Sequence, residues 1–97
     1  MKPPGGGIEV RHNAAASRYE AAVEGHLAVA DYAEEPGRVV FTHTFVPPEL
    51  RGRGVAGELV RFALKDMRRQ GRKIVPKCAY VAAFIRRNPE FQDFADG

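Results

Sequence analysis

The sequence predicts an α/β domain, of the α+β kind, with a mixed but mostly antiparallel sheet and the element order β-β-β-β-α-β-α. The first half of the chain contains four stretches of strand character, separated by short turns. Residues 54–70 carry apolar residues at helical spacing, and a short strand and a second helix follow them. We expect residues 1–7 to form a flexible tail and residues 8–97 to form one domain.

The four stretches of the first half are predicted strands. They are residues 8–12, the alternating Tyr19, Ala21 and Val23, residues 27–32, and residues 38–46. The short connections make consecutive strands antiparallel neighbours. The fourth stretch, RVVFTHTFV, is rich in β-branched and aromatic residues, which favour strands, and Pro47 and Pro48 end it.

The second half is predicted to alternate helix and strand. In residues 54–70 one helical face carries Val55, Leu59, Phe62, Ala63 and Met67. Gly71 is a typical residue at the end of a helix. Residues 73–77 form a short strand interrupted by Pro76, and residues 79–87 form a second helix that ends before Pro89.

Composition excludes several classes of protein. No apolar run approaches the roughly 18 residues of a membrane span, and residues 1–7 lack the apolar stretch of a signal peptide. The single cysteine, Cys78, cannot form an internal disulfide and favours a reducing, cytoplasmic setting. His12 and His26 have no metal-ligand partners at a useful spacing, so no metal site is predicted.

The net charge of +3 is unevenly distributed along the chain. Residues 1–50 contain four Lys/Arg and seven Asp/Glu, whereas residues 51–87 contain eleven Lys/Arg and two Asp/Glu. Such a basic half suggests an anionic partner, either a polyphosphate cofactor or a nucleic acid. A solvated basic helix face is the alternative.

The basic half begins at a glycine-rich loop, VPPELRGRGVAG, which fits two general phosphate-binding patterns. A P-loop needs Lys and Ser/Thr after its second glycine, but Glu58 and Leu59 follow Gly57. A dinucleotide fold needs an acidic residue near the end of the next strand, where this chain has Lys77 and Cys78. The first interpretation fails, and the second is a poor fit.

Arg51, Gly54 and Ala56 match a third pattern, (Q/R)-x-x-G-x-(G/A), placed between a strand and a helix. With the surrounding HTFVPPELRGRGVAGELV, residues 39–91 resemble the GNAT superfamily of acyl-CoA-dependent N-acetyltransferases, in particular its minimal single-domain branch. The resemblance implies that acetyl-CoA or coenzyme A binds here, with its pyrophosphate on the backbone of residues 51–57 and its pantetheine arm at Val46. The implied cofactor-binding residues are Val46, Arg51, Gly52, Arg53, Gly54, Val55, Ala56 and Gly57.

The chain departs from the family pattern in two places. GNAT enzymes have two helices between their first two strands, but residues 13–17 are too short to form them. The chain also ends soon after the second predicted helix, which omits the usual closing strands. We therefore expect an open acceptor side.

Acyl transfer from a thioester to an amine needs a base, an oxyanion donor and an acid. The family often uses a tyrosine of the last helix as the acid, and Arg86 stands at that position. The candidates that remain are Cys78 as nucleophile or acid, His43 as base and Tyr80 as acid. Each has a structural alternative, because a lone cysteine, a strand histidine and a helix tyrosine also serve as packing residues.

Three functions are open at this point. The first is an acetyl-CoA-dependent N-acetyltransferase that acts on a primary amine, such as a protein lysine or N-terminus. The second is a CoA-binding module without turnover, which the missing tyrosine and the missing helices favour. The third is a small nucleic-acid-binding protein, which charge alone supports, because the basic residues are not interleaved with an aromatic cluster.

Overall fold

The sheet is built from four consecutive antiparallel strands and one parallel strand. A computed structural model describes residues 8–95, so the predicted tail at residues 1–7 lies outside the described residues. The strands are β1 (Glu9–Asn13), β2 (Arg18–Val23), β3 (His26–Glu35), β4 (Arg38–Phe45) and β5 (Lys73–Pro76). They lie in sequence order, and only β5 runs parallel to its neighbour, β4.

Two helices flank β5 along the chain, α1 (Val55–Arg69) before it and α2 (Ala79–Arg87) after it. Short 3-10 turns occupy Ala14–Ala16, Pro48–Leu50 and Pro89–Phe94. The observed order β-β-β-β-α-β-α confirms the predicted fold class, although strand ends differ from the prediction by one to a few residues.

The connection between β1 and β2 is a single 3-10 turn. The Asn13 side chain accepts a hydrogen bond from the Ala16 amide at 3.2 Å, and Ser17 ends the turn in a left-handed conformation. Residues 13–17 therefore form a tight link between adjacent antiparallel strands. The prediction that no helices stand between the first two strands is therefore correct.

The two faces of the sheet differ in what covers them. One face, here called the helix face, packs against α1 and carries the alternating buried residues of each strand, such as Tyr19, Ala21 and Phe41. The opposite face, here called the open face, carries Arg11, Glu20 and Val29 in one cross-strand row. Within residues 8–95 no described helix packs on the open face, because α1 and α2 both belong to the core of the helix face.

Helix α1 buries a wider stripe than its sequence pattern indicates. Its buried residues are Val55, Leu59, Val60, Ala63, Leu64 and Met67. The prediction that Phe62 belongs to the buried face was wrong, because this side chain is 38% exposed, although its ring makes a T-shaped contact with Tyr19 at a centroid distance of 6.1 Å. The stripe is wide because α1 packs against both the sheet and α2.

A polar network joins the strands to α1. The Tyr19 hydroxyl donates a hydrogen bond to Asp66 Oδ2 at 2.7 Å. The His12 ring stacks on the Tyr19 ring, and its Nε2 lies 2.6 Å from the Tyr32 hydroxyl oxygen. Burial and the neighbouring carboxylate raise the pKa of Tyr19. Burial opposes ionisation of Asp66, yet hydrogen bonds from Tyr19 and Arg69 lower its pKa. The network satisfies polar groups that α1 would otherwise bury unpaired.

Candidate functional site

The glycine-rich loop places the N-terminus of α1 at the surface. Gly52 and Gly54 both have φ of +77°, a left-handed conformation that side chains with a Cβ rarely adopt. Gly54 is the N-cap of α1, and the first hydrogen bond of the helix runs from the Glu58 amide to the Gly54 carbonyl at 3.1 Å. The amides of residues 55–57 therefore have no partner within the helix and point out of its positive end.

A cleft of about 230 Å³ lies over these amides. It is lined by Val46, Leu50, Arg51, Gly52, Gly54, Val55, Ala56, Gly57 and Tyr80. No lining residue carries a carboxylate, so unpaired amides and one guanidinium make the cleft suited to an anion. The volume is below the roughly 300–1,000 Å³ of a typical small-molecule site, so the cleft can enclose only part of a large ligand.

The structure brings together all but one of the predicted cofactor-binding residues. The exception is Arg53, which does not line the cleft. Its guanidinium instead makes two hydrogen bonds, of 3.0 and 2.8 Å, to the Glu24 carboxylate in the turn between β2 and β3. Arg53 therefore fixes the loop to this turn, while the Arg51 Nε donates to the Val46 carbonyl at 3.0 Å and closes the loop on itself.

Tyr80 is the one predicted catalytic residue that lines the cleft. It lies in the first turn of α2, and its hydroxyl oxygen would be 3.8 Å from a Cβ placed on Gly57. The two helices approach each other at this point, since both follow parallel strands and begin at the same edge of the sheet. The small size of Gly57 leaves Tyr80 room over the start of α1.

Cys78 lies beside the cleft rather than in it. It is the N-cap of α2, its amide donates to the Phe41 carbonyl at 2.8 Å, and its side chain is only 9% exposed. Its sulfur is 3.4 Å from the Thr44 hydroxyl oxygen, and either atom can be the donor. The thiol therefore has one polar neighbour within an otherwise apolar environment.

His43 lies on the open face, away from the other two candidates. It is exposed on β4, directly opposite Asp31 of β3. The neighbouring Thr44 faces the helix side and contacts Cys78, so successive residues of β4 point to opposite faces of the sheet. The three predicted catalytic residues thus occupy the cleft, the edge of the core and the open face.

The sheet opens between β4 and β5 next to Thr44 and Cys78. Pairing of the two strands ends at Phe41 and Pro76, while β4 continues to Phe45 and pairs there with β3. A bulge between Asp31 and Tyr32 interrupts the pairing of β3 with β4, so that Thr42 is an extra residue. Among the described strands none covers the outer edge of β4 beyond Phe41.

Sequence reasoning missed Leu50, the bulge at Thr42 and the contact between Thr44 and Cys78. Pro76 signals where the pairing of β4 and β5 ends, because proline cannot donate to a ladder. The bulge carries no local glycine, and the contact between Thr44 and Cys78 joins residues 34 positions apart. Neither feature has a signal in the sequence.

Much of the basic surplus is paired within the molecule. Five arginines of the second half make salt bridges, namely Arg53 with Glu24, Arg61 with Glu90, Arg68 with Asp93, Arg69 with Asp66 and Arg72 with Glu34. Arg86, which the resemblance places where the family often has a tyrosine, is exposed in the last turn of α2 and does not line the cleft. The excess positive charge of the second half is therefore much smaller at the surface than the sequence indicates.

The sequence and the fold match those of known proteins. The GCN5-related N-acetyl-transferase family matches residues 18–94 of the chain. The mouse protein NATD1 is 32% identical over 88 residues, which cover 88% of this chain and 80% of NATD1. The NMR solution structure of a GCN5-like protein from Staphylococcus aureus superposes with a TM-score of 0.71 at 22% identity, covering 92% of this chain and 88% of that one.

The arrangement of a mostly antiparallel sheet, a glycine-rich loop and a helix N-terminus defines a GNAT-type fold. The chain belongs to the GCN5-related N-acetyltransferase family. Among residues 8–95 no helix is both long and apolar enough to cross a membrane.

Proposed function

We propose that the protein is an acetyl-CoA-dependent N-acetyltransferase whose cleft holds the pyrophosphate of coenzyme A. The observation that carries this proposal is the set of free amides at residues 55–57, which face a cleft without carboxylates. Each amide can donate a charge-assisted hydrogen bond to a phosphate oxygen. The small volume of the cleft suits a diphosphate and the start of the pantetheine arm, while the adenosine part lies at the surface.

The uncovered edge of β4 supports our proposal that the pantetheine arm lies along this strand. Val46 lines the cleft, and residues 42–45 lead from it towards the point where β4 and β5 separate. An extended amide-containing chain can pair with an uncovered strand edge through backbone hydrogen bonds. In this arrangement the reactive end of the arm lies near Thr44 and Cys78.

When bound, acetyl-CoA supplies an activated acetyl thioester: a carbon–nitrogen bond forms to the amine, the carbon–sulfur bond breaks, and the proton lost from nitrogen is balanced by one gained by the released thiolate, which becomes the thiol of CoA. We assign the proton donor role to Cys78, because its sulfur lies beside the uncovered strand edge and within reach of the Thr44 hydroxyl. Tyr80 contacts the arm in the cleft, and His43 accepts the proton of the amine on the open face. A reducing, cytoplasmic setting, which keeps the thiol free, is part of this proposal.

A CoA-binding module without turnover is the second candidate function. The observation that favours it is the separation of Tyr80, Cys78 and His43, which do not contact one another. Both functions require CoA binding, so the presence of turnover distinguishes them. Mass spectrometry of a lysine-containing peptide incubated with the protein and acetyl-CoA measures that turnover directly.

Calorimetric titration with CoA tests the proposal. We expect saturable binding of one CoA per chain, with competition by adenosine 3′,5′-bisphosphate. If the basic residues serve nucleic acid instead, RNA or DNA will bind with an affinity that falls steeply as salt increases. Salt-sensitive nucleic-acid binding without CoA binding would reject the proposed function.

A further inference from the structure

The first strand, β1, lies at an edge of the sheet and has one open side. It pairs with β2, and within residues 8–95 no strand pairs with its other side. Such an edge presents a row of backbone N–H and C=O groups to which another strand can bind. Proteins often block an edge with a proline or a bulge, but β1 contains no proline and its register with β2 has no shift. The edge is therefore open to a further strand.

The open face of β1 carries two exposed side chains of opposite charge, Glu9 and Arg11. Glu9 lies opposite Ala22 of β2, and no described residue makes a hydrogen bond or salt bridge with its carboxylate. Arg11 lies opposite Glu20, and its Nε donates to the Glu20 carboxylate at 3.0 Å. The Arg11 side chain is still 77% exposed, so its outward N–H groups can bind a second carboxylate.

The helix-face side of the same edge is apolar. Ile8 and Val10 are half-buried and pack against the core. Phe62 of α1 is 38% exposed, and its ring contacts Tyr19 of β2, the strand next to β1. A strand added to the edge would remove this apolar surface from water, which favours the pairing.

Phe62 and Val10 lie at about the same level along the edge. Helix α1 links the parallel neighbours β4 and β5 and so runs antiparallel to them, in roughly the same direction as β1. Asp66 of α1 lies 3.5 Å from His12 Nδ1 of β1. Phe62 precedes Asp66 by about one helical turn, or about 6 Å. Val10 precedes His12 by two strand residues, or about 6.8 Å.

A second copy of β1 fits the edge in one antiparallel register, with the two-fold axis at Val10. Glu9 then lies opposite Arg11 of the second copy, and the symmetry repeats this ion pair on the other side of the axis. On the helix face the two Val10 side chains meet at the axis, beside both Phe62 rings. An axis at Arg11 would instead place two arginines opposite each other, and an axis at Glu9 two glutamates, which is unfavourable.

We propose that the protein forms a symmetric dimer through its β1 edges, with one continuous sheet that contains five strands from each copy. The occupant of the edge is therefore a second copy of this chain. An interface of this kind uses the same surface of both copies and closes at two. The inference is independent of the proposed acetyl transfer, because no described residue that lines the cleft belongs to β1.

Sedimentation equilibrium of the full chain tests the dimer. We expect the parent to associate reversibly to twice the mass of the chain. Glu9→Arg places like charges opposite each other on both sides of the axis and should weaken the dimer by about tenfold or more. Glu35→Arg is the matched control, because Glu35 is an exposed carboxylate on β3 and the net charge changes equally. A parent that stays monomeric, or equal dissociation constants of the two folded variants, would overturn the inference.

Val10→Cys tests the register. In the proposed dimer position 10 faces itself, with Cα atoms about 4.5–5.5 Å apart, a separation that a disulfide can bridge. After oxidation in air we expect this variant to run as a covalent dimer in non-reducing electrophoresis. The parent should not, because Cys78 is only 9% exposed, and neither should Arg11→Cys, because position 11 faces position 9. No cross-linking of Val10→Cys, or equal cross-linking of Arg11→Cys, would contradict the proposed pairing.

Discussion

Replacing Gly54 by alanine separates the cost of the loop conformation from the role of the loop in binding. A residue with a Cβ at φ of +77° costs about 1–2 kcal/mol relative to glycine. Beyond its own backbone and its chain neighbours, the added Cβ has no atom within 4 Å, so no clash with another part of the protein adds to this loss. In a domain of this size each kcal/mol lowers Tm by about 4–8 °C. Gly54 also lines the cleft, so the methyl group occupies space that the proposed pyrophosphate would need.

Gly37→Ala is the matched control for this prediction. Gly37 has φ of +78° and also has no atom within 4 Å of an added Cβ, but it lies in the turn between β3 and β4. We expect both variants to lose similar stability in thermal unfolding followed by circular dichroism. Only Gly54→Ala should bind CoA about tenfold or more weakly in calorimetry, the loss expected for one charge-assisted hydrogen bond. Equal CoA affinities of the two folded variants would refute the reasoning.

Two further predictions concern Cys78 and Glu20. Cys78→Ala should leave CoA affinity within a few-fold and lower turnover by roughly 10²–10⁴, the effect of losing a positioned acid–base group; unchanged turnover would leave Cys78 a packing role. Hydrogen bonds from Asn13, Arg18 and Arg11 lower the pKa of Glu20 from 4.5 to about 2, so its stabilisation is present above pH 4.5 and is lost as pH falls to 2. Over this range the free energy of unfolding should fall by at most about 3 kcal/mol, and by less than that because the Arg11 partner is largely exposed. Glu20→Gln should remove this part of the pH dependence. An unchanged slope of stability against pH in that variant would contradict the assignment.

The loop was predictable because its signals are local. Gly52 and Gly54 adopt the conformation that glycine favours, and Gly54 is followed at once by the helix that the apolar spacing predicts. The strands follow from alternation, and the short link at residues 13–17 excludes intervening helices by length alone. The cleft residues adjoin one another in sequence, apart from Tyr80.

Features that depend on contacts between distant residues could not be predicted. Phe62 fits the apolar pattern, but packing of α1 against α2 shifts the buried stripe towards Val60 and Leu64. The salt bridges that pair much of the basic half join residues far apart in the chain, apart from the one within α1. The facing positions of Asp31 and His43 depend on the bulge between β3 and β4, which one sequence does not reveal.

The most direct test of the account is a titration of the 15N-labelled protein with CoA, followed residue by residue. The central claim is that the amides at the start of α1 bind the pyrophosphate. It predicts that Val55, Ala56 and Gly57 show the largest amide shifts, with saturation at one CoA per chain and no change at Glu9 or Val10 of β1. Saturable shifts centred elsewhere, or none at residues 54–57, would contradict the claim.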